Sequence, residues 1–365
     1  MDFHKIAGLT IEDVKKAHMA DLSVQEQYGV KYHQFWLNQE AGTIFCLTEG
    51  PDMKTCEMVH RLAHGNVACA MTEVESGYYK VFMGEGHQVD HGIVRNEDGS
   101  MDLGYRSILV VTIQDLAKAN GSGDLDKLQT PVKARKLVLQ KIDQFNGRKV
   151  KWVTDDSLTG VFNDVTQAVR CARCIRNELL ANNPKVVFRV GLSVGQPVTE
   201  NGEFFTNALT LAHRISNIAL ENQILISSLA GDLCNDDELT DNDPFIRSLS
   251  SSEENFISNL LKITEDNLAN ETFTIEDLCH DIGVSRPQLY RKITTLTGRS
   301  PNDLLRDLRM DKALTLLKRK TGNISEIALE VGYKSPSYFA RCFAKKFGCT
   351  PSRFTAVVSH AGTTV

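Results

Sequence analysis

One pattern is written twice near the C-terminal end of this 365-residue chain. The first copy runs from Thr274 to Pro301 and the second from Asn323 to Pro351. Gly283 answers Gly332, Ser285 answers Ser335, Leu289 answers Phe339, Arg291 answers Arg341, Ile293 answers Phe343 and Gly298 answers Gly348. A repeat of this kind implies one small supersecondary unit used twice. Each copy reads as helix, Gly-containing turn, helix. Thr274 caps the first helix, with Asp277 at its third position to bond back. Leu278 and Ile282 share one apolar face. Gly283 suits the left-handed residue that closes the helix. Ser285 caps the second helix, Pro287 falls in its first turn, where a missing N–H costs nothing, and Leu289 and Ile293 form its buried stripe. Arg286, Pro287, Tyr290 and Arg291 are left to face outward, as are Pro336, Ser337, Ala340 and Arg341 in the second copy. Between the copies, Leu304, Leu305, Leu308, Ala313, Leu316 and Leu317 mark a helix that fixes their spacing.

Two exposed helices about one helical turn (~34 Å) apart can enter successive major grooves on one side of a DNA duplex. The alternative is a helical protein-interaction module. Charge leans toward the first. Residues 253–356 carry 16 Lys and Arg against 13 Asp and Glu, while the whole chain has 41 against 46. A basic end on an acidic body fits contact with phosphate through that end. The strings "SRPQLYRKI", "SPSYFARCF", "TGRSPNDLLRDLRMDKAL" and "ISEIALEVGYKSPSYFARCFAKKFGCTPSRF" closely resemble the AraC/XylS family of bacterial transcription regulators. The resemblance covers under a third of the chain. It implies an all-α tandem helix-turn-helix domain over 253–358 and double-stranded DNA as partner, with RNA polymerase a further one. The base contacts it implies come from Pro287, Tyr290 and Arg291, and from Pro336, Ser337 and Arg341, with Arg286 beside them. Arginine suits a bidentate contact with guanine, although Arg291 and Arg341 recur at one offset from the core and could instead be structural.

The rest of the chain is bounded by exclusions. No apolar run approaches membrane-spanning length, and the first 20 residues lack a signal-peptide pattern. Nine cysteines show no disulfide-framework spacing, which together with a DNA-binding end points to a reducing cytoplasm. Cys171 and Cys174 form a C-x-x-C on a helical stretch, and packing is the better reading of them. The acidic, Ser- and Asn-rich stretch 235–252 and the Gly-rich stretch 84–104 read as linkers.

Residues 1–80 read β-α-β-β-α-β, the ferredoxin-like arrangement. "FHKIA", "VKYHQFWLN", "GTIFCLTE" and "VACAMTEVE" are the strands, and Thr10 and Asp52 cap the helices. Six of the ten histidines fall before residue 90. His60 and His64 are four apart on one helix and can take one metal ion. His18 and Asp21 lie three apart on the other. Both helices pack on one side of the sheet, so these residues can converge, with Cys46 and Glu49 of the third strand in reach. The alternative is ordinary hydrogen-bonded histidines. "MDFHKIAGLTIEDVKKAHMADLSVQEQYGVKYHQFW", "GTIFCLTEGPD" and "VHRLAHGNVACAMTEVE" resemble a family of small ferredoxin-like proteins described as nickel-binding. On that resemblance His4, His18, Asp21, His60 and His64 are the metal ligands, with His33 a further candidate. Imidazole also suits zinc, copper and cobalt, so nickel is what the resemblance implies rather than what donor chemistry selects. The alternatives are a site for a small organic ligand and a purely dimerising domain.

Residues 105–234 alternate strands and helices as an α/β unit. "GRKVKWVTDDSLTGVF", "FRVGLSVGQPV" and "FFTNALTLAHRISNIALENQILIS" resemble the catalytic domain of class III nucleotide cyclases. That chemistry needs two carboxylates holding two metal ions on a triphosphate. Here the first strand offers Thr112 or Ile113 at the acid's place, with Asp115 displaced toward the turn. The second acid survives as Asp155 or Asp156. The family's Asn–Arg pair appears as Thr210 and Arg214. The implied domain is therefore cyclase-like but degenerate, with Asp155, Asp156 and Arg214 as a nucleotide-binding remnant. The whole reads as a cytoplasmic, homodimeric, non-enzymatic α+β multidomain regulator that touches DNA and a metal ion and no membrane. The alternatives are a regulator sensing a nucleotide and an active cyclase with a DNA-binding tail.

Overall fold

A computed structural model describes residues 1–84, 88–96, 98–113, 125–150, 157–184, 186–234, 243–319 and 321–361. It is a mixed α+β molecule of two six-stranded sheets and a helical C-terminal region. No helix among the described residues is long and apolar enough to cross a membrane.

The first sheet is built from β1 (Asp2–Lys5), β2 (Lys31–Asn38), β3 (Thr43–Glu49), β4 (Ala70–Met71), β5 (Gln88–Asp90) and β6 (Ile93–Arg95). Their order is β4-β1-β3-β2-β6-β5. Helices α1 (Ile11–Val24) and α2 (Met53–Ala63) connect β1 to β2 and β3 to β4. Thr10 and Asp13 form a capping box at the start of α1, and Asp52 caps α2, as their side-chain chemistry demands. The expected last strand is short. Only Ala70–Met71 pairs with β1, and the chain then turns into α3 (Ser76–Met83). The Gly-rich stretch is not merely a linker. Its β6 lies parallel to β2, and the Phe35 N–H donates to the Gly92 carbonyl at 2.7 Å. Gly92 has φ +87°, and a Cβ there would lie 2.5 Å from the His18 ring, so backbone closes directly over that histidine.

The second sheet contains β7 (Arg106–Ile113), β8 (Arg148–Val150), β9 (Ser157–Phe162), β10 (Phe188–Gly195), β11 (Ile224–Ile226) and β12 (Ile246–Ser248). Its order is β12-β11-β10-β7-β9-β8. Strand β7 is apolar at successive positions because both its faces are covered. Leu109 and Val111 meet α4 (Leu125–Gln144) and α5 (Val165–Asn182). Ile108 and Val110, on the other face, pack with α6 (Thr206–Ile218), with α3, and with Phe3, Trp36 and Phe45 of the first sheet. The two sheets thus share one core. At Gly191 an added Cβ would lie 2.2 Å from the Ala212 carbonyl oxygen, which is why α6 can settle so closely on β10.

Residues 235–242 of the expected acidic tether lie outside the described residues. The remainder is ordered. β12 joins the sheet edge, α7 (Ser228–Leu233) precedes it, and Ser250 caps α8 (Ser251–Asp266). Then come α9 (Ile275–Ile282), α10 (Arg286–Thr297), α11 (Pro301–Arg319), α12 (Ile324–Glu330), α13 (Pro336–Phe347) and α14 (Pro351–Ala361). Gly283, Gly298 and Gly348 close α9, α10 and α13 in the left-handed conformation. Helix α11 serves two cores. Leu304 and Leu305 pack with α8, α9, α10, α6 and β11, while Ala313, Leu316 and Leu317 pack with Ile327, Phe339 and Phe343. The first helical pair is therefore seated on the second sheet's body, and the second pair has a core of its own.

Candidate metal centre and nucleic-acid interface

Alternation along β1 and helical spacing on α1 and α2 bring seven donors to one place. Asp2 and His4 stand two apart on β1, and Asp2 faces Cys46 of β3 in the antiparallel register. His18 and Asp21 come from α1, and His60 and His64 from α2. His60 is the hub. Its Nε2 is 2.9 Å from Asp2 Oδ2, and its Nδ1 is 3.2 Å from the Asp21 carboxylate and 3.2 Å from His64 Nε2. His64 Nε2 lies 3.3 Å from Asp21, and the Asn66 N–H donates to His64 Nδ1. His4 Nε2 is 3.5 Å from Asp2. Asp21, His60 and His64 form one group whose ligand atoms lie within 4.8 Å of one another, and Asp2, His4 and Cys46 form a second. A cavity of about 40 Å³ lies between them, with His18 in its wall.

Burial alone would push the Asp2 carboxyl up, but hydrogen bonds from His4 and His60 outweigh it and hold Asp2 far below the usual carboxylate range. Asp21 is held down in the same way by His60 and His64. Burial works against the charge on His60 as well. The two carboxylates win, and its imidazole is raised to about 10. Burial, helped by the charge on His60, keeps His18 below its ordinary range although Asp21 opposes this. Enclosure and the nearby Asp2 and Asp21 carboxylates push the Cys46 thiol well up. A cationic His60 between two anions is the arrangement a metal ion would replace, because an ion taking a His60 nitrogen displaces a proton. Imidazole nitrogens, carboxylate oxygens and a thiol fit nickel, zinc, copper or cobalt, not the all-oxygen shells of calcium or magnesium.

Of the sequence-predicted residues, His4, Cys46, Asp21, His60 and His64 fall in these two groups, His18 stands in the wall of the cavity, and His33 and Glu49 lie outside. His33 pairs with Glu49 at 3.1 Å, and the β2–β3 register shifts between Tyr32 and Gln34. Asp2 escaped the sequence reading. The only signal was its place two residues before His4 on a strand. Tyr32, whose ring stands 4.9 Å from that of His60, also went unseen.

Arg286, Pro287, Tyr290 and Arg291 on α10, and Pro336, Ser337 and Arg341 on α13, are all exposed, while Leu289, Ile293, Phe339 and Phe343 are buried behind them. Arg286 pairs with Glu276 at 2.8 Å, a contact between exposed groups of little net worth. The Arg341 guanidinium lies 5.6 Å from the Tyr338 ring. Tyr338 is 51% exposed, as a large apolar ring facing solvent, and joins this surface unpredicted.

Asp155 and Asp156 lie outside the described residues. The Thr112 hydroxyl bonds the Ser216 hydroxyl at 2.8 Å, and Arg214 is tied to Glu265 of α8 at 2.6 Å.

A family described as a helix-turn-helix domain matches residues 278–356, and the family "Nickel responsive protein SCO4226-like" matches residues 1–74. Histidine kinase P4 of Formosa agariphila is 40% identical over 141 residues, covering 39% of this chain and 10% of that protein. The raffinose operon transcriptional regulatory protein RafR of Pediococcus pentosaceus is 37% identical, covering 22% of this chain and 29% of that protein. This chain therefore spans less than a third of the length of either relative. Among solved structures, SCO4226 from Streptomyces coelicolor is 38% identical, covers 18% of this chain and 83% of its own, and has a TM-score of 0.18.

Proposed function

A helix-turn-helix domain of the AraC type stands at the C-terminus of this chain and an SCO4226-like, nickel-responsive-type domain at its N-terminus, and from that pairing we propose that the protein is a transcription regulator whose DNA binding responds to a metal ion. The carrying observation is that Asp2, His4 and Cys46, and Asp21, His60 and His64, form two donor groups joined by the contact between His60 and Asp2. The ordering β4-β1-β3-β2 with two connecting helices supports reading residues 1–80 as ferredoxin-like. Residues 105–234 read as the degenerate cyclase-like unit, and 253–358 as the DNA-binding unit.

A nickel-class ion bound there would supply a positive charge that offsets the repulsion between Asp2 and Asp21. The protein's own residues carry the consequence onward. Asp2 and Phe3 pair with β4, whose continuation is α3, and α3 lies in the core shared by both sheets. The first helical pair is seated on α6 and β11 of that same body. A shift at β1 therefore has a packed route to α10. A metal biases DNA binding only by its difference in affinity between two arrangements. A homodimer in the cytoplasm would present four recognition helices and gain by effective concentration. The non-enzymatic reading rests on Thr112 and Arg214. Thr112, which with Ile113 is one of the two candidates for the place of the metal-binding acid, bonds the Ser216 hydroxyl, and Arg214 is tied to Glu265. Cyclic product formed from ATP or GTP with manganese at ordinary enzyme rates would refute that part.

Genomic fragment selection with the purified full chain, followed by footprinting with and without nickel, tests the main reading. We expect a protected site whose apparent affinity changes by several-fold or more when nickel is added. A footprint identical in nickel, zinc and chelator would reject metal response, and no footprint in any of them would reject DNA binding. On the selected site, Arg291→Ala and Arg341→Ala are each expected to weaken binding by ~1–3 kcal/mol if they contact bases. Unchanged titrations would remove those two residues from the interface.

A further inference from the structure

A second cavity, of about 640 Å³, opens where Thr72–Tyr78, α6 and α8 meet. This volume is in the range of small-molecule sites. Its walls combine two aromatic rings with an excess of negative charge. Tyr78 and Phe204 stand with ring centroids 6.2 Å apart. Phe204 is 8% exposed, and the next residue, Phe205, is buried at φ +53°, a left-handed conformation that a bulky side chain rarely takes. Phe205 stacks on Phe82 at 4.9 Å, and Phe204, edge-on to Phe82 at 5.6 Å, belongs to the same core while also reaching the cavity wall. Glu73, Glu75 and Glu265 bring three carboxylates, and Arg214 is already tied to Glu265. Burial lowers His213 below its ordinary range and favours its neutral form. Among the described residues, no ion pair is formed by Glu73 or Glu75.

We propose that this cavity binds an organic cation, an amine or ammonium group carried on an aromatic or apolar body. The rings offer a cation a favourable face and its body a surface to cover. Glu73 and Glu75 offer charge-assisted hydrogen bonds without breaking an existing pair. A nucleotide fits poorly, because its phosphates would meet a lining with more carboxylates than cations. Occupancy would be felt by both neighbours. Thr72–Tyr78 follows β4, which pairs with Asp2 and Phe3, and Glu265 belongs to the helix leading into α9. The proposal does not rest on metal response or on DNA recognition.

Titration calorimetry on the full chain with tryptamine, indole-3-acetate and ATP tests it. These probes keep an aromatic body while inverting or multiplying the charge. Saturable one-to-one binding of tryptamine is expected, with neither anion binding. The double variant Glu73→Gln, Glu75→Gln should weaken tryptamine by about tenfold or more. Both residues are exposed, so this variant keeps the fold, and an unchanged circular dichroism melt verifies that. Tyr78→Ala gives a second reading of the ring contribution. The proposal is overturned if tryptamine does not bind, if indole-3-acetate or ATP binds as tightly, or if the double variant binds tryptamine like the parent.

Discussion

Replacing His60 and His64 together by alanine is expected to remove high-affinity nickel and zinc binding from the full chain. His60 sits in contact with both carboxylates, Asp2 at 2.9 Å and Asp21 at 3.2 Å, and His64 completes the second group. Loss of a supporting partner alone typically costs ~10- to 100-fold in metal affinity, so loss of two donors should exceed about 100-fold. His60→Ala also leaves two buried carboxylates without the cation between them, which destabilises the fold itself. The single variant His64→Ala separates the effects. Its ring is 14% exposed, its removal spares the His60 bridge, and it should lower metal affinity while leaving the thermal melt of the metal-free protein nearly unchanged. Isothermal titration with nickel and zinc, beside melts in chelator, reads both. Metal binding by the double variant that matches the parent would eliminate this centre as the sensor.

The second large effect is expected at a pair that belongs to neither site. Arg106 is fully buried, and its guanidinium donates to both oxygens of Asp102 at 2.8 and 2.7 Å, and to the carbonyls of Phe82, Met83 and Tyr105. Asp102 in turn accepts from the Trp36 indole at 3.2 Å and from the Gly104 N–H at 2.9 Å. The pair therefore ties β2 and α3 to the first strand of the second sheet. Removing one member leaves an uncompensated buried charge, which costs ~3–5 kcal/mol. Arg106→Met and Asp102→Asn should each lower stability by that order in urea unfolding. The double variant should cost less than the sum, because neither charge is then stranded. Single variants within about 0.5 kcal/mol of the parent would show that the pair does not join the sheets energetically.

Local chemistry is legible in the sequence. Thr274 with Asp277 and Ser285 with Gln288 form the capping boxes that such residues form wherever a helix begins. Gly283, Gly298 and Gly348 end helices because the left-handed conformation is cheapest without a Cβ. The outward sets on α10 and α13 followed from which positions had to be buried. In the candidate metal centre, helical spacing puts His60 with His64, and His18 with Asp21, on shared faces, but only the family resemblance marks them as ligands. Cross-strand facts were not. Nothing in Asp2 or Cys46 taken singly announces that they oppose each other, because register depends on the partner strand. The stretch 84–104 was misread for a similar reason. Its three-residue strands have too little pattern to declare themselves, and only the open edge of β2 makes them strands.

The sequence by itself determined the paired helical motifs, the helix caps and the histidine-bearing helix faces, because these depend on residues within a turn or two of each other. Tertiary structure alone decided that the two sheets share one core, that the first helical pair rests on α6, and that the donors close around one small cavity. Those outcomes depend on which apolar faces meet. A sequence specifies that an apolar face must be covered, and the packed chain specifies by what.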